Sequence, residues 1–419
     1  MFRSLCAACA ALFITFPAAA DEAVLSLTRA TLLALESQPL LAAQSAAVAA
    51  TRESAVSAAQ LPDPVLSGGL TDLTVGTPNR FSFTNESDTQ FIVGVKQQFY
   101  GGNKRELRGA RFDREADRLE AERSEQTRMI TRETGLLWLE AWKAQRAQGQ
   151  VRDSIAQASL QVEAAQIAFT AGRATQAEVL AARVSLEMLN DQLANLHQME
   201  WHARNQLRRW IGAAADQPLA ATLPDWPTPD AAQLNARLES HPHVLAQSAA
   251  VEVANAALEL SRADYSPDFS VMAGYGYRPN FANYASLTFE VGLPFFAAQR
   301  QDRGVAAALR QKEQAAQLRE DWLRQHRAEI ALNIGDWQRL RERLARYDNT
   351  ILPQAQQRLD SALAAYGAGA STLMMVLDAR RSLLDIRLQK LDLELDSAKH
   401  QVTLAYFNHE APGSPGDAP

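Results

Sequence analysis

The side chains best suited to bind a metal ion in this 419-residue chain are its seven histidines, and two of them, His241 and His243, flank a single proline. A protein zinc site takes three or four ligands, so a lone pair of imidazoles needs further cysteine, aspartate or glutamate partners. No such cluster accompanies this pair, which lies where a helix is predicted to begin. We therefore expect no metal site at this position.

No other pattern in the sequence predicts catalysis or a bound cofactor. The chain has no glycine-rich phosphate loop, no methionine-rich track for soft metals and no constellation of nucleophile and base. We predict that the protein is not an enzyme, that it has no catalytic residues and that it uses no cofactor.

The first twenty residues form a segment of their own. Arg3 gives a positive start, Leu5–Phe16 is a short apolar core, and Ala18–Ala20 fits a small-residue cleavage site, which together predict a secretory signal peptide at 1–20. Cys6 and Cys9 lie inside or before the apolar core, so we predict no lipid anchor. Both cysteines leave with this segment, which suits an oxidising periplasm.

The charge balance argues against nucleic acid as a partner. Lysine and arginine number 42 against 48 aspartates and glutamates, a net charge of −6. No run of 18 apolar residues follows residue 20, so the sequence predicts no membrane-spanning helix. An exported chain can still span the outer membrane as a closed β-barrel.

An internal repeat organises the chain. The hexamer Ala43–Val48 recurs intact as Ala246–Val251, and Pro64 maps to Pro267 at the same offset. Further on, Phe169-Thr-Ala-Gly172 corresponds to Tyr366-Gly-Ala-Gly369. We interpret this ordered set as a duplication, although chance similarity between alanine-rich helices is the alternative.

Each copy is predicted to contain a pair of strands with one apolar face. The alternation is clearest in the second copy, where Phe269, Val271, Ala273, Tyr275 and Tyr277 alternate with Ser270, Met272, Gly274, Gly276 and Arg278. Runs of about 9–11 residues with aromatic ends are typical of membrane barrel strands. An ordinary hairpin on a soluble core is the alternative.

Long helices follow each strand pair. The stretch 103–170 contains no proline, and at about 1.5 Å per residue it would be roughly 100 Å long. Apolar residues then recur at steps of three and four: Val179, Ala182, Leu186, Leu189, Leu193 and Leu196. This heptad pattern predicts left-handed coiled-coil packing. Pro353 is expected to kink its helix.

These patterns predict a mainly α protein with membrane β-strands, in five segments. After 1–20, repeat 1 covers 21–211, with strands at about 65–77 and 89–100 and helices at about 103–170 and 175–211. A proline-rich linker follows at 212–230. Repeat 2 covers 231–408, with strands at about 268–278 and 286–296 and helices at about 299–366 and 371–408. Residues 409–419 are predicted to be a disordered tail.

Taken together, the signal peptide, the duplicated strand-and-helix unit and the turn motif resemble the TolC family of outer-membrane efflux proteins. The motif is an aromatic residue, x-Ala-Gly-x-x-Ser/Thr, then Val-Leu-x-Ala, present at Phe169–Ala182 and Tyr366–Ala379. The segment Pro267-Asp268-Phe269 looks like the strand start of the heavy-metal cation (CzcC/CusC-like) branch.

The resemblance implies a TolC-like homotrimer. Each chain would give four strands to a 12-stranded β-barrel among the outer-membrane lipids, and the long helices would form a coiled-coil α-helical barrel across the periplasm. A periplasmic adaptor (membrane fusion protein) and an inner-membrane transporter of the RND type are the implied partners. The implied function is passive export of small toxic solutes, including heavy-metal cations.

Under this resemblance, two helical turns become the adaptor-docking tips. The implied docking residues are Gly172, Arg173, Thr175, Gly369, Ser371 and Thr372. Glycine at such a turn permits positive φ and ends the helix. The pattern Thr175-x-x-Glu178 also predicts a capping box, which by itself explains the glutamate.

Asp378 lies one turn after the second tip and matches an acidic position of the family's periplasmic gate. A trimer would form a ring of three such carboxylates, which favours cations. The alternative is a solvated carboxylate favoured by the helix dipole. The companion gate position holds Met375, which argues against a double ring.

Other functions remain open at this point. The same fold also suits drug efflux or type I protein secretion. A periplasmic coiled-coil adaptor or scaffold would use the helices without the barrel, and the alternating strands with aromatic ends argue against it.

Overall fold

The computed structural model describes residues 24–36, 38–76 and 78–408. The predicted signal peptide and the predicted tail lie outside these residues. The first copy contains α1 (Leu27–Glu36), α2 (Pro39–Ala58), β1 (Val65–Thr71), β2 (Gln90–Phe99), α3 (Lys104–Thr170) and α4 (Gln176–Ile211). The second contains α5 (Ala231–Arg237), α6 (Pro242–Ala263), β3 (Phe269–Tyr277), β4 (Tyr284–Val291), α7 (Gln301–Arg346), α8 (Leu352–Gly367) and α9 (Leu373–Phe407).

Two strands differ from their predicted bounds for local reasons. The strand predicted at 65–77 ends at Thr71, and the next residue, Asp72, has a φ of 57° that turns the chain out of the ladder. The strand predicted at 286–296 instead starts at Tyr284 and ends at Val291. Pro294 has no N–H to donate to a ladder, so the strand cannot continue through it.

The helix predicted at 299–366 is also different, because it consists of two helices. A single π-helical turn, Tyr347–Ile351, separates α7 from α8, and Pro353 stands at the start of α8. Proline lacks the N–H for the i→i−4 bond and its ring crowds the preceding turn. The extra residue of a π turn absorbs this misfit.

The four strands form one antiparallel sheet in the order β1-β2-β3-β4. Each copy contributes one hairpin, and the copies meet where β2 pairs with β3, from Phe91 opposite Tyr277 to Phe99 opposite Phe269. The outer edges of β1 and β4 have no partner strand within the described chain. Exposed backbone edges of this kind call for a further partner.

A buried ionic contact joins the sheet to the helices and joins the two copies to each other. The Lys104 ammonium, at the start of α3, donates to the Ser266 carbonyl at 2.7 Å and to Asp268 Oδ1 at 2.8 Å. The Gly101 N–H donates to the same carboxylate oxygen at 2.9 Å. A Cβ at Gly101 would lie 2.0 Å from the Pro267 carbonyl oxygen, so only glycine fits there.

The largest hydrophobic core among the described residues lies where both copies and the linker converge, midway along α3. Trp138 is fully buried, and its indole N–H donates to the Leu25 carbonyl at 3.0 Å. Leu25 in turn pairs with Leu219 of the linker in a short bridge. The linker thereby holds the N-terminal segment against α3. Among the residues that the structure describes, no helix combines the length and the apolar character needed to cross a bilayer.

Candidate functional site

The two helical turns have the same backbone geometry. Gly172 and Gly369 have φ of 68° and 72°, the left-handed conformation that the sequence predicts for them. In each turn the following residue donates its N–H back to the helix at 2.8 Å, Arg173 to Ala168 and Ala370 to Ala365. This is the Schellman pattern that ends a helix and reverses the chain.

The predicted docking residues are brought together on one end of the molecule. Gly172, Arg173 and Thr175 are exposed, as are Gly369 and Thr372, and Ser371 is half-buried. Below them, Val179 and Ala182 of the first hairpin share one hydrophobic core with residues of the second. The second hairpin contributes Leu359, Leu373, Val376, Leu377, Ala379 and Leu383.

The two turns differ in their helix caps. Thr175 and Glu178 form the predicted capping box, in which the Thr175 N–H donates to the carboxylate at 2.8 Å and the Glu178 N–H donates to the hydroxyl at 3.3 Å. The Thr175 backbone and then its hydroxyl lower the pKa of the Glu178 carboxyl by hydrogen bonding. Thr372 makes no such side-chain cap. The helix start is therefore less strongly held in the second turn.

Asp378 lies on the exposed side of α9 and has a partner that the sequence did not reveal. Its Oδ2 accepts a hydrogen bond from Arg358 Nη2 of α8 at 2.8 Å, and both side chains are more than half exposed. Helical periodicity marks each residue as exposed but does not say that α8 and α9 bring them into register. The carboxylate is thus compensated within its own chain.

A groove of about 970 Å³ lies beside this ion pair, between the two hairpins. Its lining mixes exposed apolar side chains, such as Leu180 and Met188 of α4, with charged ones such as Asp153 and Arg381. The groove continues the hydrophobic core beneath the turns. Asp378 is one of its lining residues.

The sheet has one apolar and one polar face. Cross-strand neighbours on the apolar face are aliphatic or aromatic, as in the pairs Leu66–Val95 and Val271–Phe289. The strand residues of this face include Val93, Val95, Phe269, Tyr275, Tyr277, Leu287, Phe289 and Val291, all exposed. A contiguous exposed apolar patch on a protein surface is typical of a site that contacts lipid or another protein.

On the polar face the strands carry two charges, which are Lys96 of β2 and Glu290 of β4. The ammonium donates to Glu290 Oε2, and the Ser270 hydroxyl of the intervening strand donates to the same oxygen at 3.1 Å. The remaining side chains of this face are mostly small: Ser67, Gly69, Gly94, Gly274, Ser286 and Thr288.

The histidine pair at the start of α6 makes structural contacts. His241 is fully buried, its Nε2 bonds the Tyr406 carbonyl at 3.1 Å, and its Nδ1 accepts the His243 N–H at 3.2 Å. Burial lowers the pKa of His241 to about 3 because the charged ring would lose its water. His243 contacts Glu125 and stacks on Trp322. Across the described residues, no three metal-ligating side chains form a cluster.

Comparison with known proteins gives a family match and a consistent fold. Residues 234–406 match the outer membrane efflux protein family. The chain is 26% identical over 257 residues to the cobalt-zinc-cadmium resistance protein CzcC of Cupriavidus metallidurans, a match that covers 58% of this chain and 60% of that protein.

Solved structures of the same fold cover nearly the whole chain. A structure of CusC superposes with a TM-score of 0.76 at 18% identity, over 91% of each chain. The outer membrane protein VceC of Vibrio cholerae gives 0.75 at 18% identity, over 93% of this chain and 96% of that one. The CmeC outer membrane channel of Campylobacter jejuni gives 0.77 at 15% identity, over 93% and 86%.

Proposed function

Because this chain carries an outer membrane efflux protein domain and has the TolC-like fold along its described length, we propose that it is the channel subunit of a tripartite efflux system. It would sit in the outer membrane, extend into the periplasm and act as a passive conduit for small toxic solutes. The observation that carries this proposal is the four-stranded sheet, which has one exposed apolar face and two edges that no other described part of the chain pairs with.

Four strands cannot close a barrel, and lipid leaves unpaired backbone groups without partners. A homotrimer supplies the missing strands if β4 of one subunit pairs with β1 of the next. Three sheets of four strands would then form one closed barrel of twelve, with the apolar face toward lipid and the polar face toward water.

The duplication predicts the register of this contact. Leu66 pairs with Val95 in the first hairpin and Phe269 with Val291 in the second. Leu66 and Phe269 are separated by the same number of residues as Ala43 and Ala246, so the two hairpins are equivalent residue by residue.

Within the chain, Val95 pairs with Ala273 where the copies meet. The counterpart of Val95 in the second copy is Val291, and the counterpart of Ala273 in the first copy is Leu70. The same pairing between subunits therefore places Val291 opposite Leu70 of the partner subunit. Both side chains belong to the apolar face, which a slip of one residue would violate.

Disulfide trapping tests this arrangement. With Val291→Cys and Leu70→Cys in one chain, mild oxidation of outer-membrane preparations should give covalent dimers and trimers, because directly opposed Cβ atoms lie about 4.5–5.5 Å apart. The control combines Val291→Cys with Gly68→Cys, which keeps the face but shifts the register by two, and should crosslink weakly. A chain that stays monomeric, or that is released from membranes without detergent, would contradict the channel proposal and favour a periplasmic scaffold.

The proposed cargo follows from the cobalt-zinc-cadmium resistance protein that the chain resembles. We expect a deletion strain to lose tolerance to divalent metal cations, with tolerance restored by the intact gene. Loss of tolerance to dyes and detergents alone would instead indicate drug efflux, and accumulation of an exported protein in the cell would indicate type I secretion.

We propose the partners from the resemblance to outer-membrane efflux proteins: a periplasmic adaptor and an inner-membrane transporter of the RND type. The exposed turns around Gly172 and Gly369 would be the surface to which the adaptor docks. Arg173→Glu should weaken adaptor crosslinking at the tip. Arg310→Glu, an exposed change on α7 far along the chain, is the matched control.

We assign Asp378 a role in the periplasmic gate through its ion pair with Arg358. The pair joins α8 to α9 just beyond the second tip, and because both side chains are exposed, breaking it should change the charge and mobility of the entrance with little effect on the free energy of unfolding. Asp378→Asn should raise single-channel conductance, and Arg358→Gln should do the same because either change breaks the same contact. Unchanged conductance in both variants would remove this role.

A further inference from the structure

Two charges on the polar face of the sheet have no structural explanation. Lys96 and Glu290 are the charged residues within the four strands, and their side chains are 38% and 52% exposed. Exposed ion pairs contribute little to stability, so the fold does not require them. Most other positions of this face hold glycine or uncharged polar residues.

The position of the pair is specific. Lys96 lies opposite Met272 and Glu290 lies opposite Ser270, so the contact crosses the whole width of β3. The long side chains of Lys96, Met272 and Glu290 therefore lie close together on the polar face. At the next polar position along the strands, Gly94 and Gly274 face each other instead. A Cβ at Gly94 would come within 2.9 Å of the Met272 side chain, so the glycine leaves room for this long side chain.

We propose that Lys96 and Glu290 form a charge-compensated belt around the water-filled pore, and that Lys96 keeps the carboxylates from trapping the divalent cations that pass. This inference rests on the proposed channel function. Three subunits would contribute three carboxylates and three ammonium groups at one level. A ring of bare carboxylates binds cations, and conduction requires binding weak enough for the ion to leave.

The consequence of removing the lysine is set by Coulomb interaction. An ammonium in contact with the carboxylate repels a divalent cation twice as strongly as a monovalent one. Lys96→Met should therefore make the pore cation-selective and increase zinc block of potassium current by at least about tenfold. Glu290→Gln leaves the ammonium groups without counter-charges and should shift ion selectivity toward chloride.

Planar-bilayer recording with purified protein provides the test. Reversal potentials in asymmetric KCl and zinc titrations would be compared for the original protein, Lys96→Met, Glu290→Gln, the double variant and Lys96→Arg. The double variant and Lys96→Arg should both resemble the original, because the belt is neutral in each. This pattern separates loss of charge from loss of packing.

Different outcomes overturn different claims. If the original protein forms no channels, the proposed function fails. If it conducts but neither single variant shifts the reversal potential or the zinc block, the belt proposal fails while the channel function stands. If Lys96→Met does not assemble, Glu290→Gln decides alone, and an unshifted reversal potential in that variant refutes the belt.

Discussion

The buried Lys104 contact gives the sharpest test of how the sheet is held on the helices. Lys104→Met keeps most of the side-chain volume and removes the ammonium that binds Asp268 and Ser266. The carboxylate then retains the Gly101 N–H but loses its counter-charge. The Ser266 carbonyl loses its donor.

The magnitude follows from burial. The lysine side chain is 6% exposed and the Asp268 side chain 32%. Breaking a fully buried ion pair from one side costs about 3–5 kcal/mol, and a hydrogen bond to a charged group is worth about 1.5–3 kcal/mol. Because water reaches a third of the aspartate, we expect a loss of about 2–3 kcal/mol in the free energy of unfolding.

The assay compares denaturant midpoints of purified protein in detergent, followed by circular dichroism. Unfolding of the proposed trimer need not be two-state, so shifts in the denaturant midpoint are compared with those of a matched variant. Arg114→Met is this matched variant, because Arg114 also lies on α3 but forms an ion pair in which both Arg114 and its partner Asp117 are exposed. That variant should change stability by less than about 0.5 kcal/mol.

A double variant isolates the interaction itself. Lys104→Met combined with Asp268→Leu removes both charges, so part of the stability lost in the single variant should return. If Lys104→Met is as stable as Arg114→Met, or if the double variant loses the sum of the two single losses, the contact does not hold the sheet as argued.

Three further predictions concern individual residues. Since the pKa of His241 is lowered to about 3, the unfolded chain binds a proton below about pH 6.5 that the folded chain does not. The free energy of unfolding should therefore fall by up to about 1.4 kcal/mol per pH unit from pH 6.5 toward 3. His241→Asn should reduce the difference in denaturant midpoint between pH 7 and 5, and an equal difference in both proteins would contradict this. Gly101→Ala forces a Cβ against the Pro267 carbonyl and should prevent assembly of the trimer, as measured on detergent gels. The control Gly149→Ala meets no atom within 4 Å and should be tolerated. Equal assembly of the two variants would refute the steric argument. Gly369→Ala adds a side chain in open space at positive φ, so melting curves should show a loss of only about 1–2 kcal/mol, and a larger loss would mean that the tip is packed against something.

Local chemistry made the architecture predictable from sequence. Alternation of apolar residues every second position marks the strands around Val271 and Phe289, and glycine in the pattern Ala-Gly-x-x-Ser/Thr marks both tips, since few other residues adopt positive φ. Where the chain departs from its predicted bounds, a single residue such as Asp72 or Pro353 redirects the backbone.

The partners of the side chains to which we assign functions were decided by the tertiary structure alone. Periodicity marks Asp378 as exposed, but only the packing of α8 on α9 brings Arg358 to it. Likewise Lys96 and Glu290 are nearly two hundred positions apart and meet only because β3 sets the register of β2 and β4. Duplication and periodicity are properties of one stretch of chain, whereas a contact between remote residues depends on how two stretches align, and that alignment is determined by the packing of the whole.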